Sequence, residues 1–263
     1  MPYDVQLLNT SVMQLNQRRT KILEMIREDG HAKVQELSHI FKVSDVTIRQ
    51  DLEILEQAGY IQREYGGAFL KDVGSFAKTI TLSNQSNMSA KQEIAQKAVK
   101  YIKNGDSIIL DSGTTTTEIA KLLIAYKELN VITNSLNIAL ILGENPGINL
   151  IVTGGEFKAP TLSLTGQKAA DFFQNIHVDK LFLATAGIST DLGLTYPSLS
   201  DLVVKQAMIN SSDVIFLVAD ATKIGMCAFA NLGPVSIIDY IITDSSITPE
   251  KTQILQENNI KMI

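Results

Sequence analysis

The residues best suited to chemistry form one run: Asp111, Ser112, Gly113, Thr114, Thr115, Thr116 and Thr117, directly after the apolar stretch at 107–110. A glycine and four threonines at a strand-to-helix turn offer amides and hydroxyls to an anion. The run has no P-loop lysine and does not fit G-x-G-x-x-G, so neither ATP nor a dinucleotide is indicated. The same threonines could simply cap the helix expected over 118–125, and both readings stay open. Asn134, Gly154-Gly155, Lys158 and Asp220 to Lys223 stand likewise just after, or close behind, other apolar runs. Lys158 and Lys223 can each give phosphate a point-charge contact, although a loop lysine is more often only solvated. Aldose–ketose isomerisation would need a carboxylate base and a cation at the enediolate, roles open to Asp111, Asp220 and Lys223. His177, the only histidine of this half, precedes a strand with no partner evident.

A second group lies near the amino terminus. Ser44, Asp45, Val46, Thr47, Arg49 and Gln50 open a helix whose apolar stripe is Ile48, Leu52 and Leu55. Ser44 is a good N-cap, and Val43 with Ile48 fits a hydrophobic staple. If that stripe is buried, Arg49 can fork to guanine or phosphate and Gln50 can read adenine, while Ser44 and Thr47 donate to phosphates. Arg63, in the hairpin expected over 60–70, would reach the DNA backbone or the minor groove as a wing. The alternative is a small helical cap with solvated charges.

These residues need elements to hold them. Helices are expected on Ile22-Leu23-Ile26, on Val34-Leu37-Ile40-Phe41 and from Ser44 to Gly59, the last two joined by a four-residue turn. Behind residue 90, near-continuous apolar strands alternate with helical patterns, which indicates a parallel sheet covered on both faces. In such sheets ligands bind outside the carboxyl ends of the strands, where this chain keeps its Gly, Thr, Asn, Asp and Lys. The expected division is an extension over 1–16, a DNA-binding domain over 17–70, a Ser/Asn-rich linker over 71–88 and a sensor domain over 89–263.

Composition bounds the rest. The 263 residues are 45% apolar, with one cysteine, 23 Lys+Arg and 28 Asp+Glu. That fraction builds a real core and excludes whole-chain disorder, a disulfide scaffold and a Cys-cluster zinc site. No membrane span or signal peptide is evident, so a cytoplasmic protein is expected. The formal charge of −5 speaks against nucleic acid only until it is divided. Residues 17–65 hold 8 basic and 9 acidic side chains, net −1, and residues 90–263 hold 13 lysines and 17 acids, net −4. All five arginines (Arg18, Arg19, Arg27, Arg49, Arg63) precede residue 70. A DNA module with so little charge would depend on oligomerisation to multiply its contacts.

Arg18, Ile22 and Ile26, followed by Ser44-Asp-Val-Thr47-Ile48-Arg49-Gln-Asp51-Leu52, resemble the signature of DeoR-type bacterial transcription regulators. Leu55-Glu56-Gln-Ala-Gly59 and Tyr65-Gly66-Gly67-Ala68 are similar to the same family. So are Asp111-Ser-Gly-Thr-Thr-Thr, Thr133-Asn134, Thr153-Gly-Gly155, Leu164-Thr-Gly166, Asp179-Lys-Leu-Phe, Gly193-Leu-Thr195, Lys205-Gln-Ala-Met208 and Asp220-Ala-Thr-Lys223. The resemblance implies an α/β chain: a winged helix-turn-helix, then a larger parallel-sheet domain similar to ribose phosphate isomerase and glucosamine phosphate deaminase. It implies a repressor of a carbohydrate operon that binds operator DNA as a dimer or tetramer. The effector it implies is a phosphorylated sugar, and the downstream blocks look most like the amino-sugar or galactitol branch. Effector contacts would come from Asp111, Ser112, Gly113, Thr114, Thr115, Thr116, Asn134, Gly154, Gly155, Lys158, Asp220 and Lys223. No cofactor, metal, membrane partner or catalytic residue is called for; a fused isomerase or deaminase is the alternative. Two departures stand out: Lys158 replaces a usual arginine, and Ser200-Asp201 replaces a usual pair of acids.

Overall fold

A computed structural model describes residues 16–29, 31–64, 66–70, 87–158 and 161–263. The extension expected over 1–16 and the linker expected over 71–88 lie almost wholly outside the described residues. Contacts divide the chain into two compact units, Met1–Ser75 and Phe76–Ile263.

The first unit runs α1 (Gln17–Asp29), β1 (His31–Lys33), α2 (Val34–Phe41), α3 (Asp45–Gln57), β2 (Ile61–Glu64) and β3 (Gly67–Leu70). Ile22, Leu23, Ile26, Leu37, Ile48, Leu52, Leu55 and Ile61 make its core. The start of α3 is built as its residue types dictate. Ser44 is extended, and its hydroxyl accepts from the Thr47 amide at 3.3 Å. Val43 packs into the same core as Ile48, which fixes the angle at which the chain enters the helix. Ser44→Ala is expected to cost about 1 kcal/mol, a fall of roughly 4–8 °C for a domain of this size, read by thermal unfolding of this unit. Gly59, at φ +81°, turns the chain out of α3 into the hairpin.

Strand β1 was not expected. Three residues are too few to show a period of two. It forms because β3 pairs antiparallel with both β2 and β1, with His31 opposite Phe69 and Lys33 opposite Gly67. A Cβ at Gly67 would come within 2.5 Å of the Ala32 carbonyl oxygen, so this third strand requires glycine there.

The second unit runs α4 (Met88–Ala98), β4 (Ser107–Leu110), α5 (Thr114–Leu123), β5 (Leu129–Thr133), α6 (Leu136–Leu142), β6 (Ile148–Val152), β7 (Glu156–Lys158), β8 (Ser163–Thr165), α7 (Gln167–Asp171), β9 (Val178–Ala184), β10 (Gly187–Ser189), β11 (Gly193–Tyr196), α8 (Leu199–Asn210), β12 (Ser212–Val218), β13 (Ala230–Gly233), β14 (Tyr240–Ile242), α9 (Pro249–Glu257) and β15 (Lys261–Met262). Seven strands form one sheet in the order β15-β14-β12-β9-β4-β5-β6, with every neighbouring pair parallel. Alternate residues of each strand feed two separate cores. Ile109, Leu181, Leu183, Ile215, Leu217 and Ile241 enter one; Ile108, Leu110, Val131, Phe182, Phe216 and Ile242 enter the other. That division is why the strands read as continuous apolar runs. Among the described residues, no helix is long and apolar enough to cross a membrane.

From β4 the chain first builds outward through β5 and β6, then returns to build β9, β12, β14 and β15 on the other side. The order therefore reverses between β4 and β9, and the carboxyl ends of these two strands flank the crevice where open α/β sheets bind ligands.

One boundary corrects the expectation. Helix α5 begins at Thr114, so the threonines are its first turn and not a loop ahead of a helix at 118. Their β-branched side chains fit because the hydroxyls bond backward. Thr116 Oγ1 donates toward Asp111 O at 2.6 Å and Gly113 O at 2.9 Å, and Thr117 Oγ1 to Gly113 O at 2.7 Å.

Candidate functional site

On α3 the reading face follows from what the core removes. Ile48, Leu52 and Leu55 are buried, while Val46, Arg49 and Gln50 are exposed; Asp45 and Thr47 are half-buried. Thr47 and Ser44 share a hydroxyl–hydroxyl hydrogen bond of 3.0 Å at the helix start. Arg63 lies back against the helix, its Nε 2.9 Å from Glu56 Oε2 and its Nη1 3.4 Å from the Arg49 carbonyl oxygen. It stiffens the hairpin against α3 and enters any wing contact already paired.

In the second unit, Asp111 ends β4 at the switch point and is fully buried. Its Oδ2 accepts from Lys205 Nζ at 2.5 Å and from the Ala184 amide, at the end of β9, at 3.0 Å. Its Oδ1 is buried with no hydrogen-bond partner among the described residues. Burial pushes this carboxyl above its ordinary range, and Lys205 opposes that. Lys205 Nζ also sits 4.6 Å from the Tyr196 ring centroid, and the Tyr196 hydroxyl donates to Ala184 O at 2.7 Å. Asp111 thus ties β4, β9 and α8 together, and the backbone it anchors presents Ser112 to Thr115.

Asn134 holds the other side of that turn. Its Oδ1 accepts from the Ser112 amide at 3.0 Å, and its Nδ2 donates to Leu164 O at 3.0 Å. Gly113 is needed for space: a Cβ there would lie 2.7 Å from that of Ala184. Thr114 and Thr115 open α5, where first-turn amides have no intrahelical acceptor. Thr116 is fully buried and its hydroxyl is committed to carbonyls, so it shapes the turn.

A second cluster sits at the end of β12. Asp220 caps the short turn Ala221–Lys223, accepting from the Thr222 amide at 3.0 Å. Asp244 accepts from the Ala221 amide at 2.7 Å and holds the turn from β14. Asn87 Nδ2 reaches Asp220 Oδ1 and Thr222 Oγ1, each at 3.3 Å. Lys91, on α4, is only 5% exposed, and Asp220, Lys223 and Glu118 all act on its charge. Burial pulls its ammonium below the ordinary value, with Lys223 pulling the same way and Asp220 and Glu118 lifting it. Lys91 thus brings a buried ammonium under the influence of the turn that Asp220 caps, while Glu118 on α5 pairs with Lys121 at 2.5 Å.

Gly154, Gly155 and Lys158 fall in a third place. Gly155 has φ +133°, and a Cβ there would lie 2.7 Å from Thr165 O, so close packing accounts for it. Lys158 Nζ meets Asp201 Oδ2 at 2.9 Å. The lysine that stands for the usual arginine thus pairs with Asp201 on α8, the acid of Ser200-Asp201. His177 stands at the amino end of β9, away from these groups, and the missing partner is found: Asp213, at 2.8 Å, both side chains exposed.

Lys91, Lys205, Tyr196 and Asn87 were not singled out from sequence. The signal for the lysines was present: Lys91 stands on the buried stripe with Ile94 and Ala95, and Lys205 beside Val204 and Met208. A lysine on a buried stripe needs a carboxylate or a ligand.

A winged helix-turn-helix and a sheet with charged groups gathered at its switch point, carried on one chain, define a transcription regulator with a sensor domain. Residues 18–72 match the DeoR-like helix-turn-helix domain and residues 86–245 the DeoR C terminal sensor domain. The chain belongs to the DeoR family. It is 32% identical to a putative aga operon transcriptional repressor of Escherichia coli, over 94% of this chain and 93% of that one. It is 31% identical to the glycerol-3-phosphate regulon repressor of Escherichia coli, over 95% and 99% of the two chains. Ribose 5-phosphate isomerase from Plasmodium falciparum overlaps 53% of each chain at 21% identity and a TM-score of 0.38, a partial likeness that decides nothing about function.

Proposed function

We propose that the chain represses a carbohydrate catabolic operon and that a phosphorylated sugar, bound at the carboxyl end of its sheet, controls its hold on operator DNA. The observation that carries the sugar phosphate is the buried ammonium of Lys91, whose charge feels Asp220 and Lys223, beside the turn that Asp220 caps at the end of β12. Cations held in place before a ligand arrives suit a dianion, and neighbouring carboxylates and amides suit sugar hydroxyls. Relatives named as repressors of the aga operon and of a glycerol-3-phosphate regulon support the same reading. Asp111, Ser112, Gly113, Thr114, Thr115, Asn134 and Asp220 line or shape the site, and Thr116 shapes its turn; Gly154, Gly155 and Lys158 form a separate group. Ser44, Asp45, Val46, Thr47, Arg49, Gln50 and Arg63 form the DNA side. The chain works in the cytoplasm as a homo-oligomer, because a reading module of net charge −1 needs paired contacts to hold DNA. The amino-sugar or galactitol branch belongs to this proposal as its pathway.

Thermal shift of the full chain against a panel of phosphorylated sugars tests it. At least one should raise the melting temperature, and its dephosphorylated form should not. A panel that leaves the melting temperature unmoved would remove the sugar-phosphate effector. The same sugars test catalysis. Asp111 is tied up by Lys205 and Ala184 and is a poor candidate for a mobile base, so no turnover is expected. Measurable conversion of the sugar would establish the enzyme instead.

A further inference from the structure

We infer that Arg18 and Arg19, held side by side by Asp51, form a phosphate clamp on the flank of the DNA-reading helix. The inference rests on α3 being that helix. Asp51 is 1% exposed, and its carboxylate takes the Nε–H of both arginines, Arg18 at 2.5 Å and Arg19 at 2.8 Å. One guanidinium is enough to neutralise a buried carboxylate. The second leaves the group with a net charge of about +1. A guanidinium carries five N–H donors, so each arginine keeps its four terminal ones after Nε is spent. The side chains are 32% and 24% exposed, which brings part of each fork to the surface.

Position gives this charge a direction. Ser44, Thr47 and Asp51 are spaced three and four apart, so they line one flank of α3. Ser44 and Thr47 are the phosphate donors expected at the start of that flank. The arginine pair continues the same row one turn further on. Of the other cations of the unit, Lys33 pairs with Glu36 and Arg63 with Glu56. In a module of net charge −1, a fixed pair of forks beside the reading face is what lets the protein grip phosphate.

The test uses the full chain and a labelled mixed-sequence duplex of about 30 base pairs, with binding followed by anisotropy as KCl is raised. Arg18→Gln and Arg19→Gln should each flatten the slope of log affinity against log salt by about 0.9 per bound module, with the melting temperature of the first unit recorded alongside. Folded variants that keep the parental slope overturn the clamp. Should glutamine unfold the unit, the unmodified protein decides. Phenylglyoxal labelling of Arg18 and Arg19, read by mass spectrometry, should slow when the duplex is bound; equal rates overturn the clamp. Arg49→Ala separates the two levels. Binding lost with Arg49→Ala but untouched by both glutamine variants sinks the clamp alone. Binding untouched by all three sinks the assignment of α3 as well.

Discussion

Lys205→Met should destabilise the second unit by about 3–5 kcal/mol at neutral pH, because it strips a fully buried carboxylate of its cation. For a unit of this size that is a fall of roughly 6–20 °C in melting temperature. The loss should depend on pH in a definite sense. Burial already pushes the Asp111 carboxyl above its ordinary 3.8, and Lys205 is the main force pulling it back. Without Lys205 the folded-state value rises further above the unfolded one. The folded variant then binds more protons than the unfolded chain between those two values. The contribution of this one group is fully present below 3.8 and is lost as pH rises through the folded value, so the gap from the parent narrows in acid. Adding Asp111→Asn should restore most of the loss, because two groups that need each other are removed together. Calorimetry of the single and double variants across pH checks this. A single variant with the parental melting temperature would mean that the pair does not hold β4, β9 and α8 together.

Asp111 and Lys205 also mark what a sequence can and cannot disclose here. Helices α2 and α3 were legible because apolar residues recur at helical spacing and Ser44 announces a start. Six strands of the sheet were legible as apolar runs followed by Gly, Thr, Asn or Asp; the seventh, β15, is an exposed two-residue edge strand, Lys261–Met262, too short to show a pattern. Asp111 was visible as the end of such a strand. Lys205 left a signal, a lysine on an apolar stripe, but the pairing was hidden, since the two residues are 94 apart and only the fold brings them together. Asp51 was hidden for the same reason: in a helix rich in Asp, Gln and Glu, nothing local distinguishes the one carboxylate that turns inward to Arg18 and Arg19. The start of α5 was misplaced because threonine propensity argues against a helix, and the bonds that reverse the preference depend on Gly113 being extended. Lys158 looked like a departure from the family with no partner in view until the fold set it against Asp201.

Lys223→Ala should weaken effector binding by about ten- to a hundredfold and leave operator affinity in the absence of effector unchanged. A hydrogen bond to a charged group contributes about 1.5–3 kcal/mol, and each 1.4 kcal/mol is a factor of ten. Lys223 sits on a turn held by Asp220 and Asp244 and is only half-buried, and buried Asp220 keeps its hydrogen bonds from Asn87 and Thr222 when Lys223 is truncated. Lys91→Met should weaken the effector at least as much, because its ammonium is nearly all out of water before the ligand arrives. The two should differ in their pH dependence. Burial holds the Lys91 ammonium below its ordinary value, and an arriving dianion lifts it again. Parental affinity for the sugar phosphate therefore falls as pH rises through the ligand-free Lys91 value, and that dependence should vanish in Lys91→Met while surviving in Lys223→Ala. Calorimetric titration of the sugar phosphate that gives the largest thermal shift, repeated across pH, measures both effects; anisotropy of a labelled promoter duplex measures the DNA side. Because coupling between two sites is reciprocal, each variant must lose as much of the effector's control over DNA as it loses in effector affinity when bound to DNA relative to free. A variant that lost operator binding and effector binding together, with no effector present, would show that these lysines hold up the structure and do not read the ligand.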